Sequence, residues 1–76
     1  MKIEILGKGC PKCSRLVQNT REAVKALGID AEIVKVTDIN RIVDYGVINT
    51  PGFVINGSVM SSGKVLSTKE IMSLID

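Results

Sequence analysis

The sequence predicts an α/β domain: a mixed four-stranded sheet in the order β-α-β-α-β-β-α, with helices packed on both faces. Three observations predict it. Two strand-like segments, residues 2–6 and 31–36, are separated by a long amphipathic stretch. Two further apolar segments flank Asn56-Gly57, the strongest short hairpin signal. A capped apolar stripe follows at residues 67–75. Strands joined through a helix run parallel, with a right-handed crossover, and strands joined by a tight turn run antiparallel, so the sheet is mixed. At 76 residues, one domain spanning 1–76 is the expected count.

Each element has a local cause. Lys2–Leu6 (KIEIL) alternates Ile3 and Ile5 against Lys2 and Glu4, which is strand periodicity. Gly7 and Gly9 break it. From Pro11 to Leu27 the positions Cys13, Leu16, Val17, Thr20, Ala23, Val24 and Leu27 recur at the three-and-four spacing of an amphipathic helix. Pro11 suits the first helical position and Gly28 the residue past the end. Ala31–Val36 (AEIVKV) is rich in β-branched residues and reads as a second, central strand. TDINRIVDYG reads as a short helix capped by Thr37 or Asp38, with Ile39, Ile42 and Val43 facing inward and Gly46 ending it. The hairpin around Asn56-Gly57 comes next, with Phe53, Ile55 and Met60 expected in the core, and Gly63 marks a further turn. Ser67 and Glu70 have capping-box spacing, ahead of Ile71, Leu74 and Ile75 as the buried stripe of a last helix.

Composition excludes several function classes. Apolar residues make up 45% and charged residues 24%, as in an ordinary globular domain. A net charge of +2, no dense Lys/Arg run, and only Tyr45 and Phe53 as aromatic residues do not suit nucleic acid. No apolar run reaches the length of a membrane span. MKIEILGKG does not read as a signal peptide, so a cytoplasmic monomer is the expectation. The sequence has no histidine, which removes Cys/His zinc patterns, Cys–His dyads and Ser–His–Asp triads. Chemistry must run on thiols, supported by carboxylates or amines.

The two cysteines of the chain stand together in KGCPKCSR, as Cys10 and Cys13. A disulfide between them would close only a tiny loop, so it would constrain the unfolded chain very little. With Pro11 opening the helix, Cys10 falls at the N-cap and Cys13 on the first turn. Amides of that turn lack helical partners, and the helix dipole favours negative charge there. Lys8 and Lys12 add two nearby cations. All of these effects lower a thiol pKa, and the thiolate is the nucleophile. Helix positions i and i+3, roughly 5–6 Å apart, also lie within disulfide range. The expected mechanism is exchange: exposed Cys10 attacks a substrate disulfide, and the more buried Cys13 resolves the mixed disulfide. C-x-x-C beside a βαβ pattern supports that reading. The bland alternative is a pair of buried cysteines acting as small hydrophobes.

KIEILGKGCPKC followed by a long helix, REAVKALGIDAEI, and TPGFVINGSV together resemble small single-domain proteins of the thioredoxin/glutaredoxin fold. More narrowly, they resemble the redox-active disulfide protein 2 family of archaea and bacteria. The likeness covers nearly the whole chain. It implies a thioredoxin-like fold and thiol–disulfide oxidoreductase activity in electron transport, with Cys10 as nucleophile and Cys13 as resolving thiol. It implies no cofactor beyond the Cys10–Cys13 disulfide, and no metal. Its partners would be substrate proteins with disulfides and an unidentified disulfide reductase. Thr50-Pro51 matches the family's cis-proline loop, where the backbone of Thr50 can pair with a substrate's extended chain; a trans bond is the ordinary expectation from sequence. Gly52 and Ile48 would flank the substrate groove.

Three departures matter. Gly9 stands where thioredoxins place a Trp before the first cysteine. SSGKVLS lacks the carboxylate with which glutaredoxins bind glutathione, so glutathione is not expected as a partner. Glu4 lies six residues before Cys10, where thioredoxins carry a buried Asp that shuttles protons; strand alternation equally allows an exposed carboxylate there. The rival reading is a C-x-x-C carrier of soft metals such as Cu or Zn, whose domains put the same motif at a helix start. Lys8 stands where those carriers usually have Met, and STKEIMSLID reads as a helix where they end on a strand. A non-catalytic binding module is the third reading.

Overall fold

A computed structural model describes residues 1–9 and 11–75. Five-residue β1 (Lys2–Leu6) is followed by α1 (Pro11–Leu27), β2 (Glu32–Val36), α2 (Ile39–Asp44), β3 (Gly52–Ile55), β4 (Ser58–Ser62) and α3 (Thr68–Ile75). The sheet has the order β2-β1-β3-β4. β1 runs parallel to β2, in the register Ile3 to Ile33, and antiparallel to β3, with Ile5 opposite Phe53. The mixed four-stranded sheet and the element order are those the sequence predicts.

The alternation of β1 divides the core in two. Ile3 and Ile5 point to one face and pack with Phe53, with Leu16, Val17 and Ala23 of α1, and with Ile71 of α3. Leu6 points to the other face and packs with Val36, Val54, Val47 and Ile42 of α2. Two helices thus cover one face and one short helix the other. Full burial of each large apolar side chain contributes about 1.5–3 kcal/mol, and Phe53, Ile3, Leu16 and Ile71 are all 0% exposed.

Local signals set the ends. Asp38 caps α2, its carboxylate accepting from the Asn40 amide at 2.9 Å. Ser67 Oγ accepts from the Glu70 amide, and Glu70 Oε1 from the Ser67 amide, both at 3.2 Å, which is the capping box read from the sequence. Asn56 (φ 50°) and Gly57 (φ 86°) form the two-residue turn between β3 and β4, a conformation with positive φ at both positions that Asn-Gly tolerates best. Asn56 also accepts from the Lys2 amide through Oδ1 at 2.9 Å, which ties the hairpin tip to the start of β1.

Four expectations are corrected. β2 is an edge strand, flanked only by β1; Glu32 and Lys35 are exposed and only Val36 is buried. On α2, Ile42 alone is buried, while Ile39 and Val43 are 54% and 64% exposed. On α3, Ile71 is buried but Leu74 is 37% exposed. The register of β3 and β4 shifts by one between the pairs Phe53–Ser61 and Val54–Val59, which leaves Met60 as a bulge residue, 41% exposed and out of the core.

Candidate functional site

The site lies where β1 ends, α1 begins and the segment before β3 crosses them. Helical spacing places Cys13 on the inward side of the first turn of α1, in line with Leu16, Val17 and Thr20, and it is 5% exposed. Its sulfur sits directly over Gly7. A methyl group added to Gly7 would overlap Cys13 Sγ and would stand 3.7 Å from Thr50 Cβ. The Gly7 amide in turn donates to Val36 O at 2.9 Å, so β2 holds the backbone beneath the sulfur.

The Thr50-Pro51 peptide is cis, as the resemblance implies. Pro51 is buried and Thr50 exposed. The Gly63 amide donates to Pro51 O at 2.9 Å, so the turn after β4 supports the proline from behind. Cys13 and Thr50 therefore meet around one glycine. The expectations for Cys10, its N-cap position and its exposure, lie outside the described residues.

Two hollows open at this end of the sheet. The larger, about 550 Å³, is an apolar groove between Ile39 and Val43 of α2, Ile48 after it, and Lys8 and Thr50 on the site's side. Ile48 is 92% exposed. The smaller, about 20 Å³, has room for about one water. Cys13 lines it together with Ser14, Lys35 and Thr37. The sequence reading missed the groove face of α2 and the approach of Lys35 and Thr37. A lone lysine inside an apolar strand was the available signal for the second.

The remaining expected residues separate. Lys8 is exposed and lines the groove. Lys12 is exposed on the first turn of α1 and lines neither hollow. Glu4 is 4% exposed, so it is not a surface carboxylate. It points to the α2 face, opposite to Ile3, Ile5 and Gly7. There the Tyr45 hydroxyl donates to Glu4 Oε1 at 2.7 Å, and Arg41 Nη2 lies 3.4 Å from Oε2. The hydrogen bond to Glu4, then burial, then the charge of the carboxylate push the Tyr45 hydroxyl above its ordinary pKa of 10.0, with Arg41 working the other way.

The chain matches the thioredoxin domain family over residues 1–76. It is 49% identical to a thioredoxin of Methanocaldococcus jannaschii over 69 residues, which is 91% of this chain and 79% of that one. It is 43% identical to a thioredoxin of Methanothermobacter thermautotrophicus over 75 residues, 99% of this chain and 97% of that one. A solved structure described as a malarial protein superposes with a TM-score of 0.72, over 97% of this chain and 91% of that chain, at 16% identity, a likeness of fold alone.

Proposed function

Because the chain belongs to the thioredoxin domain family along its whole length, we propose that it is a thiol–disulfide oxidoreductase in which Cys10 attacks and Cys13 resolves. The observation that carries the reading is the seat of Cys13: a sulfur buried at a helix start, packed on Gly7 beside the Thr50-Pro51 segment. A structural cysteine can be buried anywhere. Here Thr50, which meets the same glycine as the Cys13 sulfur, also lines an exposed apolar groove that a substrate chain can fill.

The chemistry balances as a two-electron exchange. The Cys10 thiolate attacks one sulfur of a substrate disulfide. The substrate S–S bond breaks, a Cys10–substrate disulfide forms, and the leaving thiolate takes up a proton. Cys13 loses its proton and attacks the Cys10 sulfur. The mixed disulfide breaks, the Cys10–Cys13 disulfide forms, and the second substrate thiolate is released and protonated. The substrate gains two electrons and two protons; the protein loses two electrons and the Cys13 proton, and solvent supplies the second proton, which matches the one Cys10 released on ionising. A disulfide reductase or another dithiol returns them, and the reverse sequence oxidises a dithiol. The occupant of the groove is the substrate's own chain beside its disulfide. The Thr50 backbone pairs with that chain, apolar side chains enter between Ile39, Val43 and Ile48, and Lys8 favours an acidic neighbour.

The test is to trap the intermediate. Cys13→Ser should hold a mixed disulfide with a disulfide-bridged peptide, visible by intact mass, and Cys10→Ser should not. Alkylation across a series of redox buffers should show one reversible two-electron couple in the wild type. The reading fails if the thiols never pair, or if Cys13→Ser accumulates no adduct. A Cu(I) titration gives the soft-metal carrier its chance: tight stoichiometric binding without disulfide exchange would favour it.

A further inference from the structure

We propose that Glu4 is a positioning residue: from the centre of the sheet it fastens α2 through Tyr45 and Arg41, and so fixes the α2 wall of the groove that takes the substrate chain. The proposal rests on the oxidoreductase reading for the identity of the groove's occupant, but the fastening stands on its own geometry.

That geometry begins with the shortness of α2. It has six residues and buries one side chain, Ile42. A helix so short has little stability of its own, and Ile42 is the one side chain by which its own residues are buried on the sheet. Its outer residues Ile39 and Val43 form one side of the groove, so any roll changes the groove's width. Glu4 supplies the missing restraint. Its side chain is buried beneath the helix and receives a hydrogen bond from Tyr45, the C-cap residue of α2, at 2.7 Å, and an ion pair from Arg41 inside the helix at 3.4 Å. Bonds to a charged group are stronger and more directional than neutral ones. Two such contacts, from residues four apart, fix the rotation of the helix as well as its distance. The carboxylate's burial is compensated by the same two donors, and no buried polar side-chain atom among the described residues lacks a partner.

Glu4 is also poorly placed to carry protons for Cys13. Cys13 Sγ lies over Gly7, on the face of β1 that holds Ile3 and Ile5. Glu4 faces the other way and lies three residues back, roughly 10 Å along the strand. The hollow that touches Cys13 is lined by Lys35 and Thr37 and does not include Glu4.

Two conservative variants test this. Glu4→Gln removes the charge and keeps the shape, and Tyr45→Phe removes one donor and leaves the carboxylate. Two readouts are taken on each. Amide exchange should speed up by about tenfold at Ile42, Tyr45 and Gly46, whose amides close the turns of α2, and stay unchanged in β1, which reports that the domain is still folded. The rate of reduction of a disulfide-bridged peptide carrying Leu and Glu beside its cysteine, divided by the rate with a small aromatic disulfide that has no chain to lay in the groove, should fall about threefold to tenfold in both variants. The loss should appear mainly in KM. The proposal is overturned if α2 exchange is unchanged in both variants, or if the rate ratio does not move. It is equally overturned if Glu4→Gln slows both substrates alike while Tyr45→Phe is silent, because that pattern is a proton carrier's. A wild-type protein inert toward both disulfides would sink the oxidoreductase reading instead, and the exchange data would still decide the fastening of α2.

Discussion

Gly7→Ala isolates the contact on which the site depends. Gly7 is not among the glycines with positive φ, so its backbone accepts alanine and any cost must come from space. The space is taken by one atom. The new methyl would overlap Cys13 Sγ, while Cys13 Cβ at 3.4 Å and Thr50 Cβ at 3.7 Å are ordinary contacts. The sulfur has little room to retreat, since Cys13 is 5% exposed on a helix anchored by Leu16 and Val17, and the hollow beside it is only about 20 Å³. Overpacking of this kind costs about 1–3 kcal/mol. With an m-value of about 1 kcal/mol per molar urea for a small domain, the unfolding midpoint of the reduced protein should fall by about 1–3 M. The decisive measurement repeats the substitution in a Cys13→Ala background, where Sγ is gone. There Gly7→Ala should cost no more than about 0.5 kcal/mol, so the double-mutant cycle returns nearly the whole effect as coupling. An equal cost in both backgrounds would refute the reasoning, because the penalty would then lie in the backbone or in Thr50. On the proposed mechanism, the displaced sulfur should also resolve mixed disulfides more slowly.

Further outcomes are expected. Tyr45 is the one tyrosine, in a chain without tryptophan, so its ultraviolet titration is directly readable; the midpoint should lie above 10.0, and Glu4→Gln should bring it down. A raised folded value means that this hydroxyl's contribution to stability is full below 10.0 and is lost as pH rises through the folded midpoint, which a midpoint at or below 10.0 would contradict. Ser67→Ala removes the N-cap of α3 and should cost about 1 kcal/mol in urea unfolding at neutral pH. In the same box Lys64, then the Ser67 amide, hold the Glu70 carboxyl below its ordinary 4.5, so its contribution is present above 4.5 and fades as pH falls through the lower folded value; an acid limb identical in Glu70→Gln would contradict this. Phe53→Ala should cost about 3–5 kcal/mol, enough to unfold much of a small domain at room temperature by circular dichroism, whereas Ile48→Ser on the groove should stay within about 0.5 kcal/mol.

The legible parts of the sequence were those whose cause is local. The alternation of Ile3 and Ile5, the three-and-four spacing from Cys13 to Ala23, the turn at Asn56-Gly57 and the Ser67–Glu70 box each act within a few residues, and each is found where the pattern puts it. What depends on distant neighbours was not legible. The β-branched run of β2 reports a strand but not how many strands flank it. Ile39 and Val43 carry the same hydrophobicity as Ile42, and only the docking of α2 decides which of them reaches the sheet. Glu4 is buried by partners 41 and 37 residues away, which no spacing rule near Cys10 could supply. Lys35 comes to the side of Cys13 only through the parallel register that sets it beside Ile5.

That register reaches further than the core. β1 is paired on both sides, and side chains along it change face at every step. Suppose the strand slipped by one residue against its neighbours. Ile3 and Ile5 would turn toward α2, Glu4 would be driven into the apolar layer beneath α1, and the side chain of Leu6 or Lys8 would stand under the sulfur in place of Gly7. Packing, charge and thiol seat would fail in a single event. A misaligned chain could be compact and rich in strand and still have no room for Cys13. On the proposed function, competence in disulfide exchange is therefore a stricter witness of correct alignment in this sheet than any spectroscopic measure of its strand content.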